Sequence, residues 1–225
     1  MASSDETTLS NPANAMRKKT SLEKWVEIIS AVLISLATVA SAWCAYQSAI
    51  WGGEESISYN SAGAARTESV RYSNQALQLL TIDVNMFTQF AAAYSNQDEF
   101  LFDFLMERFR PEMKVAVEAW IETEPLINPD APTSPFDMEE YQSAAQDEAD
   151  RLLEEVDQHL AEARLNDRRS DSYILLTVIF ASVLFFGGMS SEFKSFKIRI
   201  ALVAFATLTF LVTLGIVATF PVLLQ

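Results

Sequence analysis

The stretch "NDRRSDSYILLTVIFASVLFFGG" (residues 166–188) decides the fold, because it changes within a few residues from a charged segment to one without any charge. A bilayer core requires roughly 20 apolar residues of helix. Three stretches of the chain contain no Asp, Glu, Lys or Arg: residues 28–53, 172–191 and 200–225. The sequence therefore predicts three transmembrane helices: residues 21–50, 172–190 and 200–221.

The charge of the chain is unevenly distributed. The net charge is −14, and residues 48–171 hold 25 acidic and 9 basic side chains. A segment of this sign repels nucleic acid, which excludes nucleic-acid binding as a function. The acidic segment lies between the first two predicted spans, and apart from its loops it has helical periodicity. The predicted fold class is an all-α integral membrane protein with three transmembrane helices and an elongated antiparallel helical ectodomain.

The basic residues predict the orientation. Seven of them flank the predicted spans on one side: Arg17, Lys18, Lys19, Lys24, Lys194, Lys197 and Arg199. Under the positive-inside rule these segments are cytoplasmic, so residues 51–171 are extracytoplasmic in a multi-pass plasma (inner) membrane protein. Residues 1–20, rich in Ser, Thr and Asn, are predicted to be a disordered cytoplasmic tail. Residues 191–199 form a short basic cytoplasmic loop.

A cleavable signal peptide is the alternative interpretation of the first apolar run, because "ASA" (residues 40–42) follows basic and apolar residues in the right order. The apolar run is longer than that of a signal peptide and continues through Trp43 and Tyr46, which favours a membrane helix. Arg168 and Arg169 are interpreted as an interfacial anchor paired with Asp167 and Asp171. The alternative role of the two arginines is a contact with lipid phosphate.

Small side chains recur at helical spacing in the first predicted span. The members of this small-residue face are Ala31, Ser35, Thr38, Ala42, Ala45 and Ala49. A stripe of this kind lets another helix approach closely. Two partners are open: the other two helices of the same chain, or a second copy in a homo-oligomer. Cys44, the only cysteine, is interpreted as a packing residue.

The acidic segment is predicted to contain two long helices and an aromatic core. A coiled-coil-like face is predicted from Leu77, through Leu80, Val84, Phe87, Ala91 and Tyr94. The preceding residues are small and polar, which predicts a narrow or hydrogen-bonded packing face. Aromatic residues predicted to form a compact core are Phe100, Phe102, Phe104, Phe109 and Trp120. Pro111 is placed in the first turn of a helix, followed by Glu112.

The last outer helix is predicted to begin at a capping box made by Asp137 and Glu140, after the proline-rich loop "EPLINPDAPTSPF" (residues 124–136). Its apolar positions keep helical spacing: Tyr141, Ala145, Ala149, Leu152, Val156, Leu160 and Ala163. No helix breaker follows, so this helix is expected to run without interruption into the second span.

The search for catalytic chemistry is negative. The chain has six glycines, one histidine and no nucleotide-binding or paired-cysteine metal motif. Glu155, His159 and Glu162 share metal-compatible spacing, but on an acidic helix this spacing is expected by chance. The acidic group Asp98, Glu99, Asp103 and Glu107 is interpreted as a solvated face, and Glu27 as an interfacial carboxylate. The sequence therefore predicts no enzyme, no cofactor and no metal site.

Four segments together resemble a family of uncharacterised prokaryotic three-helix membrane proteins. They are "WCAYQSAIWGGEES" (43–56), "RFRPEM" (108–113) with "EAW" (118–120), "NPDAPTSPFDMEEY" (128–141) and "SDSYILLTVIFASVLFFGG" (170–188). The resemblance covers most of residues 25–221. It implies a helical extracytoplasmic insertion between the first two spans, and it implies no catalytic residues.

Two functions are consistent with these features. The first is a self-associating scaffold or an accessory subunit of a membrane complex, with the lipid bilayer and another copy or another membrane protein as partners. The second is an oligomeric cation-conducting or cation-sensing membrane protein with an acidic outer vestibule, since acidic rings can select cations.

Overall fold

The computed structural model describes residues 12–224, and in that range its regular structure is helical, without strands. Five α-helices follow in chain order: α1 (Pro12–Asn96), α2 (Glu99–Met106), α3 (Pro111–Glu122), α4 (Ala144–Met189) and α5 (Phe196–Val217). Short 3₁₀ turns occur at Pro135–Asp137 and Ser190–Glu192. Helices α1, α4 and α5 each contain a segment long and apolar enough to cross a membrane. The all-α class and the three apolar helices agree with the prediction.

A disordered tail is predicted over residues 1–20, of which residues 1–11 lie outside the described part of the chain. Residues 12–20 belong to α1 instead. Pro12 stands at the start of the helix, where the lack of a backbone N–H costs nothing. Helix α5 is shifted by four residues toward the N-terminus relative to the predicted 200–221 span, because it begins at Phe196 and ends at Val217.

The chain divides into two compact units. The first comprises residues up to Ile57 and from Glu162 onward, and the second comprises Ser58–Ala161. Helices α1 and α4 contribute to both units, α2 and α3 belong to the second, and α5 belongs to the first.

The core of the first unit is formed by one face of each of its three helices. Helix α1 supplies Leu33, Ala37, Cys44 and Trp51; α4 supplies Tyr173, Leu176, Phe180 and Val183; α5 supplies Ala206 and Phe210. Cys44 is fully buried, as its packing interpretation predicts. Many other large apolar side chains of this unit face outward; Val39, for example, is 69% exposed and Leu208 is 63% exposed.

The second unit is held together by a buried seam along α1. Its members recur every seven residues: Ala62, Ser69, Ala76, Asp83 and Phe90. The hydroxyl of Ser69 donates a buried 2.9 Å hydrogen bond to the backbone oxygen of Ala149 in α4. Of the two predicted kinds of packing face, narrow or hydrogen-bonded, the hydrogen-bonded kind is therefore confirmed at Ser69.

The seam differs from the face predicted from Leu77 onward. Leu77 is 61% exposed and Val84 is 42% exposed, whereas their neighbours Ala76 and Asp83 are buried. The prediction is wrong at Leu77 and Val84, because the neighbouring buried positions carry a small and a charged residue, but Phe87 and Tyr94 do pack against the aromatic core as predicted. On α4 the predicted spacing is confirmed at five positions, which are buried: Ala145, Ala149, Leu152, Val156 and Ala163.

An aromatic cluster closes the second unit. Its buried members are Phe90, Leu105, Phe109, Met113, Val117 and Trp120, and Phe102 packs against them. The predicted core is confirmed at Phe109 and Trp120. It is wrong for Phe100 and Phe104, which are 82% and 41% exposed. Helix α2 buries the face that carries Leu105, and this leaves both of these phenylalanines on its outer side.

Helix α3 begins as predicted, with Pro111 in its first turn, Arg110 at the N-cap and Glu112 next to the helix start. The predicted capping box of Asp137 and Glu140 is wrong, because α4 begins only at Ala144. The Asp137 carboxylate instead accepts a 2.9 Å hydrogen bond from the Ser134 hydroxyl.

The start of α4 is delayed by tertiary contacts of the residues before it. The ring of Phe136 packs edge-to-face on Phe87 and on Tyr141. The Ser143 hydroxyl then accepts a 3.4 Å hydrogen bond from the backbone N–H of Gln146, the geometry of a helix N-cap. From there α4 continues through Arg168 and Arg169 without interruption, as predicted.

Candidate functional site

The small-residue face of α1 lies on the outside of the first unit. All six of its residues are exposed: Ala31, Ser35, Thr38, Ala42, Ala45 and Ala49. The hydroxyl groups of Ser35 and Thr38 donate 2.9 Å hydrogen bonds to the backbone oxygens of Ala31 and Ile34 in their own helix. The face therefore does not pack against the other two helices of the same chain. That alternative is wrong, because α1 packs inside the chain through the opposite face.

On that opposite face, α1 and α4 approach closely at a glycine. The Ser30 hydroxyl donates a 2.9 Å hydrogen bond to the backbone oxygen of Gly187, which also accepts a 2.7 Å bond from the Ser190 hydroxyl. A Cβ atom at Gly187 would lie 3.1 Å from Cγ1 of Ile34, whereas one at Gly188 would meet nothing within 4 Å.

These two glycines give a matched prediction. Gly187→Val should destabilise the first unit by about 1–3 kcal/mol, because the added carbons overpack the contact with Ile34. Gly188→Val, the same change one residue later, should leave stability within about 0.5 kcal/mol. Thermal unfolding of both variants in detergent measures the difference. Equal melting temperatures would show that α1 and α4 do not approach at Gly187.

A buried amide holds the segment after α5. The side chain of Gln47 is fully buried. Its Nε2 donates a 3.0 Å bond to the backbone oxygen of Leu223, and its Oε1 accepts a 3.1 Å bond from the backbone N–H of the same residue. The Tyr173 hydroxyl donates a 3.1 Å bond to the backbone oxygen of Pro221. Helices α1 and α4 thus supply the hydrogen bonds that this non-helical backbone lacks.

Arg168 and Arg169 have different surroundings. The guanidinium of Arg169 lies 4.4 Å from the centre of the Trp51 ring, and its Nη1 donates a 3.3 Å bond to Oδ1 of Asn166. Arg168 is exposed, and its Nε donates to the backbone oxygen of Arg164. The carboxylate partners predicted for Arg169 are therefore replaced by an indole ring and an amide. A guanidinium over an indole face is a stabilising cation–π contact.

The second unit contains a buried ion pair that the sequence analysis missed. The carboxylate of Asp83 is fully buried, and Arg110 binds it with two nitrogens: Nη2 at 2.6 Å from Oδ2 and Nε at 3.2 Å from Oδ1. The Tyr141 hydroxyl donates a 3.1 Å bond to Oδ2. The Nη1 of Arg110 also lies 3.2 Å from Oε2 of Glu112. One carboxylate of α1 therefore holds the N-cap of α3 and the segment before α4.

Electrostatics in this network follow from burial and pairing. The hydrogen bond to Asp83 raises the pKa of the Arg110 guanidinium above its ordinary range. Burial raises the pKa of Tyr141 from its ordinary value of 10.0 to about 12, and the charge of Asp83 adds to this effect. A negative charge on the Tyr141 oxygen would face the Asp83 carboxylate in a partly dry site.

A pH prediction follows for Tyr141. Because the folded state holds the phenolic proton more tightly than the unfolded chain, this stabilisation is complete below pH 10 and is lost as the pH rises to about 12. The ultraviolet absorbance of phenolate, taken as wild type minus Tyr141→Phe, should show a midpoint near 12. A midpoint at the ordinary value for tyrosine would contradict the burial of this hydroxyl.

Two cavities lie in the second unit, of which the smaller one borders this network. One of about 220 Å³ is lined by Arg110, Glu112, Tyr72 and Ser143. The other, of about 600 Å³, is lined by Asp98, Glu99, Asp103 and Phe102 among others. Asp98, in the lining of the larger cavity, has a structural role: its Oδ1 accepts a hydrogen bond from the backbone N–H of Leu101 and caps α2.

Over the part of the chain that the structure describes, no three His, Cys, Asp or Glu residues are arranged to hold a metal ion. His159 lies 3.8 Å from a carboxylate oxygen of Glu155. The side chain of Glu27 is exposed.

No protein-family model, curated protein or solved structure matches the chain. The resemblance to three-helix prokaryotic membrane proteins therefore stays a prediction. The class that the structure defines is an all-helical protein with three helices long and apolar enough to span a membrane.

Proposed function

We propose that this chain is an integral plasma-membrane protein that self-associates as a scaffold, or serves as an accessory subunit of a membrane complex. The observation that carries the proposal is the small-residue face of α1, whose six side chains are all exposed. Because the hydroxyl groups of Ser35 and Thr38 are satisfied within their own helix, a second helix can approach without leaving polar groups unpaired.

Membrane insertion is supported by the outward-facing apolar side chains of the first unit. Trp25, Val39 and Leu208 are each more than 60% exposed, which is costly in water and favourable in lipid. Under the positive-inside rule, the basic flanks favour a cytoplasmic N-terminus and a cytoplasmic 191–199 loop, with residues 51–171 outside.

The buried seam of α1, whose residues are spaced by seven, supports coiled-coil packing in the second unit. The buried positions Ala62, Ser69 and Ala76 follow the spacing at which helices wrap around each other in a left-handed supercoil. Small side chains in the seam favour short distances between helix axes. In this proposal, the second unit presents the aromatic cluster to partners.

The experiment is native mass spectrometry of the full chain extracted gently from its own membranes. A homo-oligomer of defined number supports the scaffold, and a stable foreign subunit supports the accessory role. Purified protein that is monomeric without any partner would overturn both. Conductance of a homo-oligomer in planar bilayers would favour the cation-conducting alternative, for which the acidic cavity of Asp98, Glu99 and Asp103 is the supporting observation.

Matched variants test the proposed face. Ala42→Leu combined with Ala45→Leu should weaken self-association at least about tenfold, because the added side chains keep a second helix from close approach. Ala181→Leu is the control, since Ala181 is an exposed alanine on α4 outside this face. Oligomerisation that survives the paired substitution would place the contact elsewhere.

A further inference from the structure

A second surface of the first unit is an apolar groove between α1 and α5. Its volume is about 500 Å³, and its lining includes Val26, Ile29, Ile200, Ala204, Leu208 and Leu211. The hydroxyl of Thr207, the one polar side chain in this lining, donates a 2.7 Å bond to the backbone oxygen of Val203. The groove therefore offers no free polar group along its length and suits a hydrocarbon chain.

The end of the groove at Ile200 is positively charged. Lys197 lies three residues before Ile200 and seven before Ala204, so it shares their face of α5, one turn nearer the helix start. Arg199 is half-buried, and its Nε is buried without a hydrogen-bond partner among the described residues. A buried N–H of a charged group requires an acceptor.

The start of α5 adds backbone donors to these side chains. Its N-cap residue, Ser195, makes no side-chain capping bond. The first amides of an α-helix lack partners one turn earlier in the helix and can donate to an anion. In α5 the N–H groups of Ile198 and Arg199 already donate 3.1 Å bonds to the backbone oxygen of Ser195, so the donors for this role are the two amides before them. Among the described side chains, the carboxylates at this end of the unit are Glu23, Glu27 and Glu192, against the basic residues Lys24, Lys194, Lys197 and Arg199.

From this geometry we infer that the groove binds one anionic phospholipid. An acyl chain lies along the apolar lining, and the phosphate accepts hydrogen bonds from Arg199, from Lys197 and from the first turn of α5. The inference rests on the proposed membrane insertion. It adds a selectivity that general contact with lipid does not give, because a zwitterionic headgroup brings no net charge to the basic cluster.

The test is native mass spectrometry of the full chain in detergent, mixed with equal amounts of phosphatidylglycerol and phosphatidylcholine of the same acyl chains. We expect one tightly held lipid per chain, with phosphatidylglycerol preferred on the order of tenfold. Arg199→Gln combined with Lys197→Gln should reduce the preference to about onefold. Arg66→Gln is the charge control, because Arg66 is exposed and belongs to the second unit.

A second pair of variants tests the groove itself. Ala204→Phe fills the groove and should abolish retention of the tightly held lipid, whereas Ala201→Phe, at an exposed position of α5 outside the lining, should not. Equal retention of the two lipids by the wild type overturns the inference, as does retention by Ala204→Phe. Failure of the membrane proposal is distinguishable, because the protein would then leave the membrane fraction in alkaline carbonate.

Discussion

Arg110→Ala is expected to destabilise the second unit by about 3–5 kcal/mol, the cost of leaving a buried charge without its partner. The carboxylate of Asp83 is fully buried, and without Arg110 it retains the Tyr141 hydroxyl as its side-chain hydrogen-bond donor. Peptide-resolved hydrogen exchange of the full chain in detergent measures the effect where it arises, since amides of α3 should lose protection with those of α1 near Asp83.

Two further variants separate charge from packing. Arg108→Ala is the control, because Arg108 is exposed and contacts the ring and backbone of Phe104 within its own segment. It should change stability by no more than about 0.5 kcal/mol. The double variant Asp83→Asn, Arg110→Ala should be more stable than Arg110→Ala alone, since the buried charge is gone. Equal losses for Arg108→Ala and Arg110→Ala would contradict the buried pair.

Phe90→Ala is expected to have an effect of similar size, about 3–5 kcal/mol, because it removes a fully buried ring and leaves a cavity. The ring centre of Phe90 lies 4.9 Å from that of Phe102 and 5.3 Å from that of Phe109. Near-ultraviolet circular dichroism reports the order of these aromatic rings during thermal unfolding.

The same substitution at Phe100 provides the control. Phe100 is 82% exposed on the outer side of α2, so Phe100→Ala should change stability by no more than about 0.5 kcal/mol. If both variants melt alike, Phe90 does not form the centre of the aromatic cluster.

The parts of the fold that the sequence predicted are those encoded by short-range pattern. Three uncharged runs indicate three apolar helices, and Pro111 marks the start of α3, because length, charge and proline act within a few residues. The start of α4 was misplaced, since "SPFDMEEY" has local capping signals that the contacts of Phe136 and Tyr141 override.

The polar residues that organise the structure were not predictable in this way. Asp83 binds partners 27 and 58 residues away, and Gln47 binds one 176 residues away. An aspartate or glutamine within a helical segment is predicted to lie on the surface as long as its distant hydrogen-bond partner is unknown. The small-residue face of α1 was recognised from spacing alone, but which side of α1 packs inside the chain depends on α4 and α5.

The bond between Gln47 and Leu223 has a consequence for the order in which the protein is made. Gln47 is synthesised 176 residues before its partner. Throughout that interval the side-chain amide of Gln47 lacks the backbone groups of Leu223 that it binds in the finished fold. An amide without hydrogen-bond partners in an apolar environment costs free energy. The first unit therefore reaches its final packing only after the segment beyond α5 has emerged.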